Sequence, residues 1–196
     1  MKFNSDIDID FADRTQILKL INHTPASQRK DNKLVMHNSG VYVTEIPVDP
    51  FLGASSIEYN EAETRGYVKL DFLNVTLYQQ VTSEAQLLEL MNTTPSWHKF
   101  NNNQAFFETL IHVNNHWNVL KKMPEPVDSI PRLAMFLAII RPAKRHLIGK
   151  TWKEVADEVW TKPADDTYYF KKSHAVAYAN LVVVNMNLSD LANKNN

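Results

Sequence analysis

The chain has 196 residues, 44% of them apolar, enough for one sizeable domain or two small ones with an ordinary core. With 21 basic and 22 acidic residues the formal net charge is -1, which excludes a chain-wide basic footprint for nucleic acid and leaves such contact to a local patch. The absence of cysteine excludes disulfides, zinc-thiolate sites and thiol nucleophiles, and the four glycines form no phosphate-cradling loop.

Acidic and apolar residues alternate over 6–11, the period of a strand. Ile7, Ile9 and Phe11 then face one side, and Asp6, Asp8 and Asp10 the other. Neighbouring acids on that face are about 6.5 to 7 Å apart at their alpha carbons. They repel one another unless they are fully solvated or share a divalent cation with oxygen ligands. An acidic edge strand that blocks sheet-to-sheet aggregation has the same pattern.

Residues 13–22 read as a helix capped by Asp13 and ended by Pro25, with 27–33 as exposed loop. Residues 34–46 suggest two short strands around His37, Asn38, Ser39 and Gly40, closed by Pro47 and Pro50. After a looser stretch to Arg65, alternation returns from Gly66 to Leu73 and puts Lys69 and Asp71 on one face. Asp71 is a turn or cap residue, or a third ligand from a neighbouring strand.

Residues 86–91 and 104–120 read as helices. On the second of these, His112 and His116 are four apart but lack the intervening Glu of the zinc-protease pattern, so they read as satisfied or solvent-facing histidines. Pro124 and Pro126 mark a linker and the candidate boundary between domains 1–123 and 124–196. Residues 130–140 form a strongly apolar helix with Pro131 in its first turn, followed by Arg141, Lys144, Arg145, Lys150 and Lys153 with no acid before Glu154. Such a run is a solvated basic face or a phosphate-contacting one. Thr151 and Glu154 form a capping box for a helix to Val159. Asp165 and Asp166 open a last segment, 168–187, that reads as buried helix or strand, and the tail after Leu188 reads as frayed. The longest apolar run, 133–140, is too short to span a bilayer, and the acidic N-terminal stretch does not read as a signal peptide. These features predict a cytoplasmic protein with no membrane contact.

Five short segments, in order, resemble the bacterial replicative C-family DNA polymerases, the polymerase III alpha subunits. The acidic strand is similar to the family's Pro-Asp-x-Asp-x-Asp-Phe palm segment, with Asp8 and Asp10 at its two catalytic aspartates, Asp6 at the preceding acid and Arg14 as the basic residue that follows. His37 to Val43 resembles its His-Ala-Ala/Gly-Gly-Val-Val-Ile strand, and Gly66 to Leu73 its Gly-Leu-Val-Lys-Phe-Asp-Phe-Leu segment. Leu133 to Pro142, ending in Ile139, Ile140, Arg141 and Pro142, resembles the family's Ala-Leu-Phe-Arg-Pro-Gly-Pro fingers segment, and the stretch from Phe170 to Ala179 resembles Phe-Asn-Lys-Ser-His-Ser-Ala-Ala-Tyr-Ala.

The resemblance implies an α+β fold, with a nucleotidyltransferase-like palm built on a mixed sheet followed by a mostly helical, reduced fingers-like part. It implies that Asp8, Asp10 and Asp71 are catalytic and hold two Mg²⁺ or Mn²⁺ ions for nucleotidyl transfer from a dNTP to a primer 3′-hydroxyl. It assigns nucleotide binding to Lys69, Arg141, Lys144, Arg145, Lys150, Lys172 and His174. Family members are several-fold longer, and their Gly-Ser nucleotide-binding motif precedes the aspartates with which this sequence begins. The expectation is therefore a reduced viral or mobile-element relative, or one completed by a second polypeptide or other replication proteins. An inactive nucleic-acid or replisome-binding module and a structural α+β protein are the alternatives.

Overall fold

A computed structural model describes residues 7–163 and 169–194; the expectations for Asp6, Asp165, Asp166 and Tyr168 lie outside these residues. The chain divides into two compact units, Met1–Val81 and Thr82–Asn196.

The first unit is α+β. Its elements are β1 (Ile7–Phe11), α1 (Arg14–Leu20), β2 (Thr24–Lys30), β3 (Lys33–Tyr42), β4 (Val48–Asp49), β5 (Ala54–Ser55), α2 (Tyr59–Thr64) and β6 (Leu70–Asn74). Four strands form a mixed sheet in the order β1-β6-β3-β2, with β1 parallel to β6 and the other pairs antiparallel. Asp13 caps α1 by accepting from the Thr15 amide at 2.9 Å, as the sequence predicts, but α1 buries none of its residues and leaves Leu20 81% exposed.

Residues 27–33, expected as loop, belong instead to a β2–β3 hairpin. Asp31 and Asn32, with φ of 49° and 61°, supply the two left-handed residues that a tight hairpin turn requires. Pro25 fits because β2 is an edge strand and its register shifts between Pro25 and Ser27. β3 is one continuous strand, and between Met36↔Ser27 and Val41↔Pro25 it places His37, Asn38, Ser39 and Gly40 opposite Ala26 alone. This is a bulge, which redirects side chains that a regular strand would alternate. Ala26, Tyr42, Ile46, Ile57 and Ala62 pack beside the sheet as a small core.

The second unit is helical among its described residues: α3 (Glu84–Asn92), α4 (Trp97–Asn102), α5 (Gln104–Glu108), α6 (Trp117–Leu120), α7 (Ile130–Ile139), α8 (Trp152–Glu158) and α9 (Lys172–Lys194). Every residue from Leu133 to Ile139 is buried, and α7 packs against the long α9. The alanine- and valine-rich segment that reads as helix or strand is thus helix, and it continues past Leu188. The single helix expected over 104–120 is broken into α5 and α6. His112 takes a left-handed φ of 64°, and Asn185 of α9 accepts from the Ile111 amide at 2.9 Å, replacing the helical partner lost at the break.

The division at Val81/Thr82 differs from the expected boundary after residue 123. The proline segment is stitched into the second unit, where Trp152 donates through its backbone to Glu125 Oε2 at 3.0 Å. Its indole donates to the carbonyls of Glu125 and Pro126 at 3.2 and 3.1 Å. No helix among the described residues is long and apolar enough to cross a membrane.

Candidate functional site

The three first-unit segments that carry the polymerase resemblance are strands of one sheet. β6 lies between β1 and β3, and the parallel register sets Asp8 directly opposite Asp71, with Asp10 opposite Leu73. Paired residues on parallel strands point the same way, so Asp8, Asp10 and Asp71 share a face, with about 4.8 Å between the strands carrying Asp8 and Asp71. The other face carries the apolar alternation, and Phe11 meets Phe72 there at 4.9 Å between ring centroids.

Asp71 is only 8% exposed, while Asp8 and Asp10 lie on the exposed edge strand. Burial, and then the neighbouring Asp8 charge, push the Asp10 carboxyl above its usual range. Asp71 is differently placed, because its charge is already met. Ser39 Oγ donates to Asp71 Oδ1 at 2.6 Å, and the Lys69 ammonium pairs with Oδ2. The bulge makes the serine contact possible. His37 Nδ1 accepts from the amides of Gly40 at 2.9 Å and Ser39 at 3.3 Å, folding the segment so that Ser39 reaches its neighbour strand.

His37 Nδ1 also lies 3.7 Å from Asp71 Oδ1, but this is no ion pair. Accepting the Ser39 and Gly40 amides leaves that nitrogen unprotonated, and burial followed by the Lys69 charge lowers the imidazole below its ordinary pKa. Arg14, the basic residue that follows the acids in the resemblance, clamps the strands. Its Nη1 donates to Asn38 O at 2.5 Å and Phe72 O at 3.1 Å.

The carboxylate oxygens are of the type that hard divalent cations take, and the Asp8–Asp71 register suits an ion shared between strands. The Asp71 end of that place is filled by Lys69. Among the described residues, no three His, Asp or Glu side chains are arranged to hold a metal ion. The register thus joins Asp8 with Asp71, and it does not gather Asp8, Asp10 and Asp71 into a finished ligand set.

The remaining sequence-predicted residues belong to the second unit. Arg141 lays its guanidinium 5.2 Å from the Phe170 ring centroid, so the two fingers-like segments meet there. Its Nε is buried and has no hydrogen-bond partner among the described residues. His174 packs edge-on against Phe170 at 6.3 Å. Burial, and then Arg141, lower the His112 imidazole to about 4 and move His116 in the same direction. Lys144 is 3% exposed and donates to Glu158 O at 2.9 Å and Thr161 Oγ1 at 3.0 Å, which turns its charge inward. Arg145 and Lys172 are exposed, and Lys150 is half-buried.

Sequence reasoning does not single out Ser39, His37 and Gly40 as site residues. The readable signal is a polar run ending in glycine inside a strand that resumes with apolar residues, which marks a bulge. Comparison of the chain with family models, with curated proteins and with solved structures returned no match.

Proposed function

We propose that the chain is a reduced C-family polymerase-like protein whose first unit performs divalent-cation-dependent nucleotidyl transfer to a nucleic-acid 3′-hydroxyl. The observation that carries this reading is the parallel β1–β6 register, which pairs Asp8 with Asp71 and leaves Asp10 on the same face. Further support comes from the way the resembling segments fall: three are adjacent strands, and two meet through Arg141 and Phe170.

In this reading Asp8 and Asp71, with Asp10 beside them on the same face, would hold Mg²⁺ or Mn²⁺. Such an ion would supply Lewis-acid chemistry for the attacking hydroxyl and the alpha phosphate. Ser39 orients the Asp71 carboxylate, and Arg14 fixes the strands that carry the acids. The exposed Arg145 and Lys172 give the second unit a phosphate-contacting surface suited to a primer-template or dNTP. A phage or mobile-element replication protein, with other replication proteins as partners, fits the same chemistry.

A second reading is a binding module without chemistry, derived from the same palm. It is favoured by the engagement of Asp71 by Lys69 and Ser39. Primer extension and nucleotidyl transfer with Mg²⁺ or Mn²⁺ separate the two. A product that depends on the divalent ion and disappears in both Asp8→Ala and Asp71→Ala is expected. Equal background in all three proteins, together with salt-dependent DNA binding, selects the module. Background without DNA binding leaves a structural α+β protein.

A further inference from the structure

Lys69 sits in a slot that the fold has shaped for it. Its ammonium pairs with Asp71 Oδ2 and stands 5.6 Å from the Tyr59 ring centroid, and its stem crosses β3 at Gly40. A Cβ on Gly40 would lie 2.7 Å from Lys69 Cδ, 3.0 Å from Ala26 Cβ and 3.0 Å from His37 Nδ1. The Gly40 backbone is not left-handed, so space and not torsion is what glycine provides there. The slot therefore has Gly40 as its floor, Tyr59 at its side and Asp71 at its end.

A lysine ammonium carries one charge, and the register places two carboxylates, Asp8 and Asp71, side by side. A divalent ion bridging them gains more Coulomb energy than the ammonium can, but the two cations cannot both occupy Asp71 Oδ2. Resting on the cation reading above, we propose that Lys69 is a built-in counter-ion of the Asp8–Asp71 pair, which a divalent cation displaces from Asp71 on binding. Lys69 then acts as a positioning residue that neutralises Asp71 until an ion binds and sets the threshold concentration for that ion.

The probe is Mn²⁺, titrated at fixed pH and ionic strength into the full chain and followed by electron paramagnetic resonance. Lys69→Met removes the competitor and is expected to bind Mn²⁺ about tenfold more tightly than the parent, in line with loss of a charged hydrogen bond. Lys69→Gln serves the same purpose if the methionine variant fails to fold. Asp71→Asn should abolish this binding in either background.

A second readout needs no activity. After reductive ¹³C-methylation, the Lys69 resonance should move toward the position of free lysine when Mg²⁺ is added. In Gly40→Ala it should already lie there without any ion. Binding that Asp71→Asn abolishes but Lys69→Met leaves unchanged or weakens overturns the counter-ion inference alone, as does a Lys69 resonance indifferent to Mg²⁺. Absence of Mn²⁺ binding in every protein removes the cation reading and the inference with it.

Discussion

Truncating Lys144 tests how much of the basic run after α7 is surface. Lys144→Ala removes three buried methylenes, worth about 2.4 kcal/mol at about 0.8 kcal/mol each. It also removes the ammonium bonds to Glu158 O and Thr161 Oγ1. Those bonds add little beyond the stem, because Glu158 O keeps donors from Thr161 N at 3.1 Å and Thr161 Oγ1 at 2.7 Å, and desolvation of the ammonium is recovered. The expected loss is about 3 kcal/mol for alanine and about 1 kcal/mol for Lys144→Met, which keeps most of the stem volume. With a urea slope of about 2 kcal/mol per molar, the alanine midpoint falls by about 1.5 M and the methionine midpoint by about 0.5 M. The companion assay is the salt dependence of DNA binding, in which each lost phosphate contact lowers the slope by about 1. Arg145→Ala and Lys172→Ala should do so, and Lys144→Met should not. A parent-like urea midpoint for Lys144→Ala, or a reduced salt slope for Lys144→Met, would refute the assignment of Lys144 to the core.

Ser39→Ala removes the 2.6 Å hydroxyl bond to Asp71 and should cost about 1 to 3 kcal/mol in equilibrium unfolding of the first unit. An unchanged midpoint would show that the contact carries no stability. Acid sensitivity should come partly from His112, whose imidazole titrates near 4 in the folded chain against an ordinary 6.5. Between those values the unfolded state binds the extra proton, so stability is full above pH 6.5 and falls as pH drops toward 4, by less than the about 3 kcal/mol of a fully buried ring because solvent screens this partly buried one. His112→Asn, which tolerates the left-handed backbone, should shrink the difference between urea midpoints at pH 7 and 4.5. An undiminished difference would place the acid sensitivity elsewhere.

The period-2 alternation of β1, the helix opened by Asp13 and the capping box at Thr151 were all legible, because each is settled by residues close in sequence. The shared face of Lys69 and Asp71 was legible for the same reason. What escaped was decided at a distance. Asn185 of α9 rewards the break between α5 and α6, and no periodicity within 104–120 reports that. Trp152 ties down the 124–126 segment, so two prolines that look like a linker lie within a packed unit. Asp31-Asn32 was a local signal of a hairpin, outweighed by the polarity of 27–33. Lys144 shows the limit of charge patterning: a run of basic residues does not reveal which of them is turned inward.

The order of strands also determines when the acids meet during folding. The hairpin of β2 and β3 is local and can form early, whereas β1 finds its partner only when β6, the last strand, inserts between it and β3. Until that step Asp8 and Asp71 are separate charges on an open chain. The segment that brings Asp71 into the sheet carries Lys69 two residues ahead of it, so the repulsive neighbour and its neutralising charge enter together. A growing chain thus closes this sheet with one of the two carboxylates already matched.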